Sequence, residues 1–203
     1  MVIVRTRGWM PRGGNPLSAA RAEKRQQILD AAVRVFARQG FHTCRVSDIA
    51  DQAGVAYGLV YHYFRSKDEM LQAVLEQHYF LPELRRIAGA DRNRPVTEVL
   101  LELTLGFARV LDQNRQVVQL MLREAPSNPA VAERIARGRT EGVRLLTEYL
   151  ASRVAAGELR PHDCEASARL LFYAVFAAHL AETAPEPFLP ATVEIVLHGL
   201  VVR

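Results

Sequence analysis

From Ser18 onward, apolar residues return every three or four positions, the spacing that lays them along one face of an α-helix. Ile28, Ala31, Ala32, Val35 and Phe36 form such a stripe, with Ser18 as the expected N-cap and Gly40 as the stop. A short segment follows with Val46, Ile49, Ala50 and Ala53 on one side, broken at Gly54. A second short segment, from about Tyr57 to Phe64, turns Val60, Tyr63 and Phe64 inward. Ser66-Lys67-Asp68-Glu69 has the form of a capping box, in which a hydroxyl and a carboxylate satisfy the unpaired N–H groups of a helix start. It predicts a further helix, kinked or restarted at Pro82.

Downstream, helical stretches are predicted near Val96–Gln113, Arg115–Glu124, Pro129–Ala156, Asp163–Thr183 and Ala191–Val201. Proline, glycine and asparagine punctuate them at Arg94-Pro95, Asn114, Pro126 to Pro129, Gly157 to Pro161 and Pro185 to Pro190. Sustained strand alternation and fixed-period repeats are both missing from the pattern. The expected fold is all-α, with about nine helices.

Charge divides the chain more sharply than its net +4 suggests. Residues 1–67 carry 11 Lys and Arg against 4 Asp and Glu, whereas residues 68–203 carry 15 against 18. The first portion suits an anionic partner and the rest does not. Residues 1–17 combine Arg5, Arg7 and Arg12 with glycines and prolines, and are expected to form a flexible basic arm. Two readings of it stay open, a plain solvated tail and an arm that enters a minor groove. Cys44 and Cys164 are too far apart in sequence for a disulfide scaffold, and the longest apolar run, Leu170–Ala178, is far short of a membrane span. These features predict a cytoplasmic protein with no membrane partner.

A long helix followed by two short helices around a tight turn is the plan of a helix-turn-helix. Gly54 sits at the turn, while Ile49, Ala50, Val55 and Val60 fill the angle between the short helices. The opposite face of the second short helix then presents Tyr57, Gly58, Leu59, Tyr61 and His62, beside Arg45, Arg65 and Lys67. Small and aromatic side chains flanked by cations suit a major groove, where base edges are read and phosphates fix position. The run Ile28-Leu29-Asp30-Ala31-Ala32, with Phe36-Ala37, Gly40-Phe41, Val46, Ile49-Ala50, Ala53-Gly54-Val55, Gly58, Tyr61, Tyr63-Phe64, Lys67 and Leu71, resembles the N-terminal domain of TetR-family transcriptional regulators.

The resemblance implies a helix-turn-helix domain over residues 18–66 and a C-terminal ligand-binding and dimerisation domain over residues 67–203. It also implies a homodimer, joined through the last two long helices, that binds double-stranded DNA at a palindromic operator. Carried over residue by residue, Tyr57 would touch a base edge or a thymine methyl, and Gly58 would permit close approach. Leu59 would offer a thymine-methyl contact, Tyr61 and His62 would donate to phosphate, and Arg45 and Lys67 would neutralise it. The chain departs from the family in lacking the hydroxyls often found at the places of Cys44, Ala56 and Leu59. A missing N-cap costs about 1 kcal/mol, so the recognition helix is expected to start uncapped; Thr43 or Ser47 could cap the helix before it.

In the second half, Leu170–Ala178 is apolar all round the helix, and Val193–Val202 nearly so, which calls for burial on two sides. A second copy of the chain would supply the other side through a four-helix seam. Leu103, Phe107, Val110 and Leu111, with Met121, Leu122, Leu145, Leu146, Tyr149, Phe172 and Phe176, are candidates to line a pocket for a small, mainly hydrophobic effector, and Thr104, Gln119, Arg144, Tyr173 and His179 are candidates for its polar groups. Plain core packing is the alternative for each. The six histidines make no metal-ligand motif, and GxSxG, P-loop and GxGxxG motifs are missing, so neither metal, cofactor nor catalysis is expected. The function expected is a ligand-released repressor. A regulator without effector, and a helical module that docks a protein, stay open as alternatives.

Overall fold

The computed structural model describes residues 16–77, 85, 94–181 and 184–198. Among them are nine helices and no strand: α1 (Pro16–Gln39), α2 (Val46–Ala53), α3 (Tyr57–Tyr63), α4 (Lys67–Gln77), α5 (Val96–Gln113), α6 (Arg115–Glu124), α7 (Pro129–Ala155), α8 (Cys164–Leu180) and α9 (Pro185–His198). The arginines Arg5, Arg7 and Arg12 of the expected arm, the kink expected at Pro82, and the predicted helical residues Glu182, Thr183 and Gly199 to Val201 lie outside the described residues.

The chain divides into two compact units. The first holds α1 to α4 together with α6 and the first residues of α7. Its centre is α1, whose stripe of Ile28, Leu29, Ala31, Ala32, Val35 and Phe36 is almost fully buried. Burying each larger side chain of this kind is worth about 1.5–3 kcal/mol. Helix α1 packs against α2, α4 and α6. It begins at Pro16, a residue whose fixed φ and missing N–H suit a helix start, so Ser18 lies within the first turn rather than at the cap. This unit takes in α4 and α6, both beyond the residue-66 boundary expected from sequence, because their apolar faces close over α1.

The second unit holds α5, most of α7, α8 and α9, around Leu100, Leu103, Phe107, Leu150, Leu171, Val175 and Val193. Helices α8 and α9 pack together. Asp163 caps α8, its carboxylate accepting the Ala166 N–H at 2.9 Å. Helix α9 begins earlier than the predicted Ala191. The backbone is non-helical at Glu186 (φ −104°, ψ 125°), and the helix that continues from there takes Pro190 at the end of its first turn.

Helix α2 ends at Gly54, which adopts φ 63°. The Gly54 N–H reaches the Asp51 carbonyl at 3.1 Å and the Val55 N–H reaches Ala50 at 3.0 Å, a Schellman closure that turns the chain directly into α3. A Cβ at Gly54 would meet nothing within 4 Å, so the demand for glycine there is a demand of the backbone alone. Gly54→Ala should therefore lower the stability of this unit by about 1 kcal/mol without a steric clash, read as a shift in the denaturant midpoint at unchanged slope.

Candidate functional site

Helix α3 has two dissimilar sides. Val60 is fully buried and Phe64, just past the helix, nearly so, while Tyr63 is half-buried with the Arg21 guanidinium over its ring. On the other side Tyr57 and Tyr61 are 54% and 44% exposed, unusual for side chains of that size. Gly58 and His62 are exposed and Leu59 is half-buried. A Cβ added at Gly58 would meet nothing within 4 Å, so the backbone itself is accessible at the middle of this face. The Tyr57 and Tyr61 rings meet edge-on at 5.2 Å, and the Tyr57 hydroxyl donates to that of Tyr61 at 3.3 Å. That bond uses the Tyr57 hydrogen and leaves the Tyr61 hydrogen to reach an outside acceptor.

The helix starts as its sequence implies. Ala56 occupies the N-cap and makes no side-chain bond to the helix. At the start of α2 the N-cap is the exposed Arg45, and neither Thr43 nor Ser47 takes that place. Asp48 instead reaches back, its carboxylate accepting the Arg45 N–H at 3.0 Å. Cys44 is buried, and its thiol donates to the Phe41 carbonyl at 3.3 Å. Burial pushes that thiol above its ordinary value, so it stays neutral and turned inward. The capping sequence before α4 works in a modified form. The Ser66 hydroxyl accepts the Glu69 N–H at 3.1 Å, and the Glu69 carboxylate accepts from the Arg65 N–H at 2.6 Å.

Two distant helices hold the turn that leads into α2. Lys67, at the start of α4, donates to the His42 and Cys44 carbonyls at 3.2 and 2.9 Å and lies 4.8 Å from the Phe41 ring centroid. From α6, the Arg123 guanidinium donates to the Ala37 carbonyl at 3.1 Å and also to that of Phe36. A cation there offsets the partial negative charge at the C-terminus of α1. The neighbouring Glu124 is buried, and its carboxylate accepts the Phe41 N–H at 3.2 Å and faces His42 Nε2 at 3.4 Å. Gln27 of α1 donates to the Ala53 carbonyl at 2.6 Å, tying down the end of α2. Arg123, Glu124 and Gln27 were not candidates from sequence.

The predicted pocket residues do not stay together. Leu103 and Phe107 of α5 and Phe172 of α8 line a small cavity in the second unit, along with Thr104, Gly142, Leu145, Leu146, Leu171 and Val175. Phe176 stacks on Phe172 without reaching the cavity wall, and Leu111 is core. Tyr149 is taken up by Arg153, whose Nε donates to its hydroxyl at 3.2 Å and whose other nitrogens donate to Glu158 and the Arg94 carbonyl. Met121 and Leu122 lie on α6, in the first unit, because the apolar face of α6 belongs to the packing around α1. Among the described residues no group of His, Cys, Asp and Glu could hold a metal ion, and no helix is long and apolar enough to cross a membrane.

Residues 28–74 match the family described as bacterial regulatory proteins, tetR family, and residues 98–184 match the C-terminal domain described as AefR-like transcriptional repressor. The chain is 32% identical over 143 residues to the HTH-type transcriptional regulator HbdR of Aromatoleum sp. (strain CIB), a match covering 68% of this chain and 61% of that relative. It is 30% identical over 144 residues to the HTH-type transcriptional regulator UidR of Escherichia coli (strain K12), covering 68% of this chain and 69% of UidR. Among solved structures, a complex of SmeT with triclosan superposes with a TM-score of 0.71 at 26% identity, over 89% of this chain and 92% of that one; SmeT is the repressor of a Stenotrophomonas maltophilia multidrug efflux pump. With an exposed α3 face, an inward-packed α2 and these relatives, the chain belongs to the TetR family of DNA-binding transcriptional regulators.

Proposed function

We propose that this regulator is a homodimeric repressor that leaves a palindromic operator when a small, mainly hydrophobic effector occupies its second unit. The observation that carries the reading is the open face of α3, where exposed aromatic hydroxyls flank a glycine with no neighbour over it. On this reading Gly58 lets the helix backbone approach the groove, Tyr57 and Leu59 meet base edges or thymine methyls, and Tyr61, His62 and Arg45 hold phosphates. Lys67 acts twice. Two of its hydrogens hold the α1–α2 turn, and the third reaches a phosphate.

The dimer reading is supported by large apolar side chains left exposed on α8 and α9. Leu170, Tyr173 and Leu180 lie on the first, and Phe188 and Ile195, the latter 75% exposed, on the second. Such a patch on helices already apolar on their inner sides suits an isologous four-helix seam. Release follows from linkage: an effector that binds the state unable to span two half-sites weakens operator binding, and the operator weakens effector binding by the same factor. The SmeT–triclosan complex and the repressor named in the C-terminal match support an effector and a repressing output. A regulator with no effector is the second reading, favoured by the small volume of the cavity.

Two substitutions test this function. Gly58→Ala places a methyl in open space and replaces glycine within a helix, so it should raise stability by a few tenths to about 1 kcal/mol while weakening operator binding at least tenfold. Equal or tighter operator binding would remove Gly58 from the interface. Ile195→Glu costs a lone chain little at so exposed a position, and should shift sedimentation from dimer to monomer and lower operator affinity with it. A variant that sediments unchanged would place the dimer seam elsewhere.

A further inference from the structure

The cavity between α5, α7 and α8 has free space of only about 20 Å³, room for a single water. Small-molecule sites run to about 300 Å³ and more. The space is small because a side chain occupies it. The Phe172 ring stacks on Phe107 at 5.1 Å and 29°, continues to Phe176 at 6.1 Å and 18°, and presses its edge against α7 at Gly142. A Cβ at Gly142 would lie 2.6 Å from Phe172 Cε2, so the ring rests in a notch that exists only because residue 142 has no side chain.

The chemistry of the wall is narrow. Among the described residues none that lines the cavity carries a charge, and Thr104 is the one with a polar side chain. The Thr104 hydroxyl donates to the Leu100 carbonyl at 2.8 Å, with the Leu101 carbonyl at 3.2 Å, so its hydrogen is committed within α5. Toward the cavity it has only lone pairs to offer, and it can serve a donor but not an acceptor.

We propose that Phe172 is the built-in occupant of the effector site, and that the effector is a neutral, flat aromatic molecule carrying one hydrogen-bond donor. On binding, Phe172 rotates out of the notch, the effector's ring takes its place against Gly142 and Phe107, and Thr104 Oγ1 accepts the donor. A carboxylate in this wall would find no donor and no cation, and a flexible aliphatic chain would not match a slot cut for a ring. The inference rests on the effector reading above and names the ligand class for it.

The test is calorimetric titration of the full-length protein with 2-naphthol, 2-naphthoate and 1-decanol, repeated on Phe172→Leu and Gly142→Ala. Operator binding is measured in parallel, and thermal unfolding checks that each variant is folded. The wild type should bind 2-naphthol, with 2-naphthoate at least 100-fold and 1-decanol at least tenfold weaker. Phe172→Leu, which shrinks the occupant, should tighten 2-naphthol binding several-fold, and Gly142→Ala, which fills the notch, should weaken it at least tenfold. If Gly142→Ala does not fold, the Phe172→Leu result decides. No binding of 2-naphthol by the wild type, comparable binding of 2-naphthoate or 1-decanol, or weaker binding by Phe172→Leu would overturn the proposal. Operator binding that persists alongside such a failure leaves the regulator reading standing; loss of specific DNA binding with the predicted ligand pattern intact overturns that reading and not this one.

Discussion

The turn between α1 and α2 decides where α2 and α3 point, and its own backbone hydrogen bonds are too few to hold it. Six residues separate Gln39 from Val46, and the turn is held from two sides by side chains remote in sequence. Lys67 takes the His42 and Cys44 carbonyls, while Glu124 takes the Phe41 N–H and Arg123 the last carbonyls of α1. The burial of Glu124 makes this fastening exacting, because a carboxylate withdrawn from water must keep its partners. Phe41 N–H, the Arg123 Nε at 3.3 Å and His42 Nε2 at 3.4 Å supply them. With the turn fixed, Gln27 and the Schellman closure at Gly54 fix the end of α2, and α3 follows with its aromatic face outward.

The residues that fasten the turn follow directly in the chain on a helix that lines the cavity. Helix α5, which lines the cavity through Leu103, Thr104 and Phe107, is joined to α6 through the single residue Asn114, and α6 ends in Arg123 and Glu124. The cavity-wall residue Phe107 and the carboxylate seated on the turn thus belong to one covalently continuous stretch of chain, whereas Phe172 comes from α8. An effector shifts the operator equilibrium only by its difference in affinity for the operator-bound and free states.

Much of this was legible in the chain, for local reasons. Gly40, Gly54 and Gly157 all adopt positive φ and mark helix ends, and Asp163 and Ser66 act as caps because capping depends on neighbours within four residues. The two faces of α3 follow from period alone, since Val60 and Phe64 lie one turn apart and the tyrosines fall on the other side. Ser18 lies inside α1 rather than at its cap because the helix is already under way at Pro16. What period cannot say is which partner a buried face meets. Met121 and Leu122 are apolar at the spacing expected of pocket lining, yet α6 belongs with α1. Arg123 and Glu124 meet carbonyls and an amide more than 80 residues earlier, and no local pattern marks such a pair. Gly142 carries no sequence signal for a related reason. Its importance is the space it leaves, which has meaning only once Phe172 is seen to fill it.

The central claim is that the open face of α3, set in place by this fastened turn, reads DNA sequence. It is tested most directly by selecting bound duplexes from a random DNA pool at physiological salt and sequencing them. The account predicts an inverted repeat whose half-site centres are one helical turn, roughly 34–36 Å, apart or a multiple of it. Enrichment of no motif, with binding that merely falls with salt, would contradict it and reduce α3 to a nonspecific clamp on phosphates.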